Sequence, residues 1–85
     1  ASYNPTSRSD FMNLTELKKR DKAKVLSLLK LDKKYTERLM DVGIYESAEV
    51  TLLNVIAMGR LYLIEVDDIE ICIRREDALL IEVKQ

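Results

Sequence analysis

Histidine, cysteine and paired carboxylates do most enzyme and metal chemistry, and this 85-residue chain is sparing with them. It has no histidine and one cysteine, Cys72. Ser/His and Cys/His nucleophilic pairs are therefore absent, as are histidine-based zinc or iron sites. One thiolate builds no cluster, and Cys72 alternates with Glu70 and Arg74 along an outward-facing row, where a thiol is structural or incidental. Two acidic pairs, Asp67-Asp68 and Glu76-Asp77, fall in turn-like stretches. Acids there cap local backbone or face water, and their oxygens are too few for a tight hard-cation site. The stretch GRLYLIEV lacks the glycines and lysine that cradle phosphates. No catalytic residue, metal ligand or cofactor is expected, and the chain is not expected to be an enzyme.

Bulk composition narrows the partners. Fourteen basic residues face fifteen acidic ones, a net charge of -1, without the basic excess that broad phosphate binding uses. Tyr3, Phe11, Tyr35, Tyr45 and Tyr62 are scattered rather than gathered into a base-stacking platform, and KKRDKAK reads as a solvated loop. Nucleic acid is not an expected partner. No apolar run is long enough to cross a membrane, and no secretory signal pattern is visible. A single cysteine without an internal disulfide partner fits a reducing, cytoplasmic setting.

What remains is the chemistry of recognition, and two groups of residues carry it. The first is a corner around residues 34–45. A helix there displays Lys34, Tyr35, Arg38, Met40 and Asp41, ends at Gly43 and Ile44, and is followed by Tyr45. An adaptable methionine, an aromatic and an arginine are typical interface groups. The second is an apolar surplus in the strands. Leu61 and Leu63 point opposite to Tyr62, Ile64 and Val66, while Leu53 and Val55 point opposite to Val50, Leu52 and Ile56. One face of each strand is left needing a cover: the helix, the N-terminal segment, or another chain, including a second copy.

The elements that position these residues follow from local signals. Residues 1–11 are polar and unpatterned, and read as a tag remnant or disordered tail ahead of one domain over 12–85. MNLTEL starts a short helix, with Asn13 as cap, Glu16 as capping-box partner, and Met12 and Leu17 at staple positions. AKVLSLLKL is strand-compatible, but both of its alternating faces are apolar. Asp32 caps a helix over about 33–42, with Tyr35, Leu39 and Val42 on one face. Gly43 suits the left-handed residue beyond the helix, and Ile44 then packs back on Leu39. Strands follow over 48–56, 60–66 and 69–74, with turns at Met58-Gly59 and Asp67-Asp68. REDA makes a turn or single helical turn, and LLIEV closes with Leu79, Ile81 and Val83 on one side. The fold is mainly β: a small SH3-like β-barrel of about five strands, closed or nearly so. A short N-terminal helix precedes it, and one helix is inserted between the first two strands. A five-stranded oligonucleotide-binding barrel is the alternative.

The ordered segments MNLTELKKRDKAKV, ERLMDVGI, AEVTLL and CIRREDALLIEV together resemble the FeoA family, over Met12 to Val83. Members carry PGD where this chain has Lys19-Arg20-Asp21, and TPGTEV where it has Tyr45-Glu46-Ser47-Ala48-Glu49-Val50. A GDP-like turn is replaced by Gly59-Arg60-Leu61, and a hairpin glycine by Asp67 or Asp68. The chain is thus glycine-poor, with stiffer loops expected. The resemblance implies an SH3-like fold and a cytoplasmic accessory role in ferrous-iron transport. The implied partner is FeoB, a membrane transporter with a GTP-binding domain. It also implies an alternative, because the same fold occurs as a regulatory or protein-interaction domain of metal-dependent repressors of the diphtheria-toxin-repressor type.

Overall fold

Alternating apolar residues and turn-forming pairs translate into antiparallel strands, six among the described residues. The computed structural model describes residues 12–85, so the expectation for residues 1–11 lies outside the described residues. The strands are β1 (Met12–Asn13), β2 (Lys22–Ser27), β3 (Glu49–Ile56), β4 (Leu61–Val66), β5 (Ile69–Arg74) and β6 (Glu82–Lys84). Helix α1 (Lys33–Asp41) lies between β2 and β3 in the chain, and the short α2 (Arg75–Ala78) between β5 and β6. The spatial order is β1-β6-β2-β3-β4-β5.

This corrects the expected architecture in two respects. The described residues form six strands rather than five, because Met12 and Asn13 pair with Val83 and Glu82 before the first helical turn begins. The barrel is also not closed. The edges β1 and β5 share no ladder among the described residues. Strand β1, two residues long, has little to offer a ladder, and β5 coils directly into α2, which packs against the Leu14–Glu16 turn.

The core is one apolar cluster lined by alternate strand residues. Val25, Val50, Leu52, Ile64, Ile73 and Val83 are all about fully buried, each contributing roughly 1.5–3 kcal/mol against exposure. Ala23 and Val25 are the inward residues of β2, which settles the face left open by its sequence. A register shift between Val25 and Ser27 then lets both Leu28 and Leu31 reach the core beyond the strand. A second shift, between Leu52 and Asn54, reverses the facing of the rest of β3. Val55 stands opposite the inward Tyr62, and Ile56 opposite Leu61 on the outer face. The expected alternation therefore fails there, because a bulge inserts one residue and changes the parity. Two other apolar residues leave their expected faces. Val42 caps α1 and is 37% exposed, and Leu79 caps α2 rather than joining β6.

Left-handed backbone marks the loops. Arg20 (φ +79°) and Ser47 (φ +78°) stand where the resemblance places a glycine, and Asp67 (φ +50°) and Asp68 (φ +67°), one of which replaces a further glycine in the β4–β5 hairpin, are left-handed too. Ala57 and Met58 precede Gly59 with φ of +54° and +59°. The chain keeps a glycine-like path with side chains that favour it less.

Candidate functional site

Helix α1 is pinned at both ends by contacts written in its sequence. The Asp32 carboxylate accepts the Lys34 N–H at 3.1 Å, and the Asp32 carbonyl accepts the Thr36 N–H at 2.9 Å. At the other end, the Gly43 N–H donates to the Met40 carbonyl at 3.1 Å and the Ile44 N–H to that of Leu39 at 2.8 Å. This is a Schellman ending, with Ile44 and Leu39 buried together as its hydrophobic clasp. Gly43 has φ +101°, and an added Cβ would come no closer than 3.4 Å to Asp67 Oδ2. Backbone conformation, not crowding, requires glycine there. Ile44 is 1% exposed, so it holds the corner together from within.

The remaining corner residues divide between two faces. Met40 and Tyr45 line a groove of about 460 Å³ with Leu28, Leu29 and Leu31. Its rim carries Lys33, Thr36 and Glu46. Leu29 is 86% exposed, Met40 52% and Tyr45 47%. Lys34, Tyr35, Arg38 and Asp41 instead line a separate polar depression with Asp32 and Glu37. Tyr35 is half-buried there and packs against the core. Burial pushes its phenol above the usual 10.0, the Asp77 carboxylate adds to this, and the Arg74 guanidinium opposes it. Arg74 in turn is held charged by its hydrogen bond to Asp77, Nε to Oδ2 at 3.1 Å.

Leu61 and Leu63 sit on the outer face of β4, neither buried nor fully exposed. Leu61 lines a third hollow with Ala57 and Leu79, edged by Arg60, Arg74 and Arg75. A further depression is edged by Glu49, Glu65, Asp67 and Asp68 together with Lys22. Among the described residues, no three His, Cys, Asp or Glu side chains gather as metal ligands. No helix among them is long and apolar enough to cross a membrane.

Leu28 and Leu29, which complete the apolar groove, were not singled out by sequence reasoning. The signal was the doubly apolar run LSLLKL. Periodicity shows that such a run has more apolar residues than one face needs, but not which of them the turn after β2 leaves outside.

The FeoA domain family matches residues 12–85. The fold is similar to the solution structure of FeoA from Chlorobium tepidum, at 30% identity and a TM-score of 0.81, covering 86% of this chain and 69% of that one. It is similar to iron(II) transport protein A from Clostridium thermocellum, at 25% identity and a TM-score of 0.77, covering 86% and 44%. A manganese-dependent transcriptional repressor shares the fold at 15% identity and a TM-score of 0.77, over 88% of this chain and 41% of the repressor. No curated protein sequence matches the chain.

Proposed function

The chain belongs to the FeoA domain family, and on that premise we propose that it is a non-enzymatic adaptor of bacterial ferrous-iron transport. In this reading it binds the cytosolic side of a FeoB-type membrane GTPase-transporter and modulates iron uptake. The observation that carries the reading is the groove between α1 and the turn after β2. Leu29, Met40 and Tyr45 expose apolar surface around a concavity, and such a patch rimmed by polar groups marks a protein contact. The polar face with Lys34, Arg38 and Asp41 lies on the same helix and supplies charges that steer encounter and register.

The test is an NMR titration of labelled protein with the transporter, first its cytosolic domain and then the full-length protein in detergent. Shifts on Leu28–Leu31, Met40 and Tyr45 are expected. Leu29→Glu, at a position too exposed to matter for folding, should weaken binding about tenfold or more. Arg38→Glu should act mainly on the association rate and its salt dependence. Absence of shifts with both transporter forms would sink direct contact.

A second reading, a regulatory or protein-interaction domain of a metal-dependent repressor, draws on the fold shared with the manganese-dependent repressor. The two part on what the groove binds: a transporter in the first reading, a DNA-binding domain in the second.

A further inference from the structure

Strand β5 is an edge of the sheet, and the phase of its backbone follows from its two ends. The loop joining Val66 to Ile69 has two residues, Asp67 and Asp68, both at positive φ. Such a loop makes Val66–Ile69 a hydrogen-bonded pair. At the far end, the Arg75 N–H donates to the Arg60 carbonyl at 2.8 Å. Counting by twos between them, Ile69, Ile71 and Ile73 aim their N–H and C=O groups at β4. Those of Glu70 and Cys72, and the N–H of Arg74, aim off the sheet, where no described strand pairs with them; the Arg74 carbonyl opens α2 as its N-cap. All three residues are exposed.

An exposed edge is a template for another strand. Edges are often guarded by charge, but the charges here are ordered so that the edge complements itself. We propose that a second copy of this chain docks antiparallel on β5, with Cys72 opposite the second copy's Cys72. A two-fold contact must map its residues onto one another. Only the register centred on Cys72 pairs all three outward residues with one another. It sets Glu70 against the second copy's Arg74, twice, and Ile71 against its Ile73 on the inner face. Sliding by two residues in either direction brings Cys72 against a charge and breaks both ion pairs.

Two features of the single chain fit this arrangement. Glu70 stands directly across from Glu65, a like-charge pair that opposes the ladder. The second copy's Arg74 on the other flank of Glu70 offsets that repulsion. Arg74 Nε donates to Asp77, and Nη1 lies 3.7 Å from Glu76. Its side chain is 64% exposed, and a guanidinium has five N–H donors, so donors remain for a second carboxylate. Leu63 is paired with Cys72. Doubling the sheet therefore makes one apolar row of two leucines and two cysteines across the outer face. An edge ladder of this length buries less than a standard interface of ~1,200 Å² or more, so the dimer is weak and forms at high protein concentration.

Cys72 reports on the register. Opposed hydrogen-bonded residues have Cα atoms about 5.5 Å apart, within the disulfide range. Diamide takes two electrons and two protons from the two thiols, leaving a disulfide and the reduced hydrazine. Wild-type protein at high micromolar concentration is expected to cross-link. Glu70→Lys and Arg74→Glu each set like charges against each other, and each should slow cross-linking about tenfold. Mixed together, the two variants regain complementary pairs and should cross-link to each other at the wild-type rate. In unmodified protein, the amides of Glu70, Cys72 and Arg74 should gain protection from hydrogen exchange as concentration rises. If Arg74→Glu does not fold, Glu70→Lys and the exchange measurement decide the matter. Cross-linking unaffected by Glu70→Lys would mean random collision of an exposed thiol. That result, or amide protection that ignores concentration, overturns the proposal.

Discussion

Single residues in this protein are decided mostly by backbone conformation. Met58 combines φ +59° with 99% exposure, so its side chain contributes no packing while its backbone is held left-handed. Met58→Gly should stabilise the fold by about 0.5–1 kcal/mol, the left-handed penalty less the entropy of glycine; urea unfolding would measure it. Gly43→Ala has the reverse sign. Its Cβ has room, but φ +101° suits only glycine, so a loss of about 1–2 kcal/mol is expected in the same assay. Tyr35 provides the titration prediction. Its phenol is raised in the folded protein, so between the unfolded value near 10 and the higher folded value the unfolded chain holds fewer protons. Stability is therefore intact below pH 10 and falls as pH rises through the folded pKa. Tyr35→Phe should remove that share of the fall, seen as a flatter alkaline limb in thermal unfolding against pH. Sequence alone identified Tyr35 as a corner residue. It could not show the Asp77 and Arg74 charges, which come from the far end of β5 and from α2.

Elements whose signals are local were legible, and those set by distant partners were not. Asn13 and Glu16 exchange backbone and side-chain hydrogen bonds as a capping box, and Asp32 caps α1, both as expected from their spacing. Asp32→Ala should cost about 1 kcal/mol and fray the first turn of α1, read as faster amide exchange at Lys34 and Thr36. The Schellman ending at Gly43-Ile44 was equally readable, because all its partners lie within six residues. By contrast, Met12–Asn13 is a strand only because Val83 and Glu82 lie beside it. Two residues carry no period. The bulge after Leu52 left no mark in composition, yet it decides that Ile56 rather than Val55 joins Leu61 outside. The candidate groove shows the same division. Met40 and Tyr45 were legible as an adaptable methionine and an aromatic near a helix end, whereas Leu29 became visible only once the turn after β2 was in place.

The whole molecule is a meander with a late tie. Strands β3, β4 and β5 follow one another by short turns, so their pairing closes small loops. Strand β6 instead lies between β1 and β2 and joins Met12 and Val25 to Val83. Such distant pairing is slow to form. The expectation is that Ile64→Val, inside the meander, slows folding, while Val83→Ala mainly speeds unfolding; a denaturant chevron of both variants would separate the two limbs. The position of β6 has a further consequence for protease sensitivity. When its three residues peel away, β1 loses its only partner strand among the described residues, and β2 one of the two it has there. Basic residues at Lys18, Lys19, Arg20, Lys22 and Lys24 flank that opening. Trypsin acting on the native protein should therefore cut first in this stretch, at a rate set by how often β6 lets go.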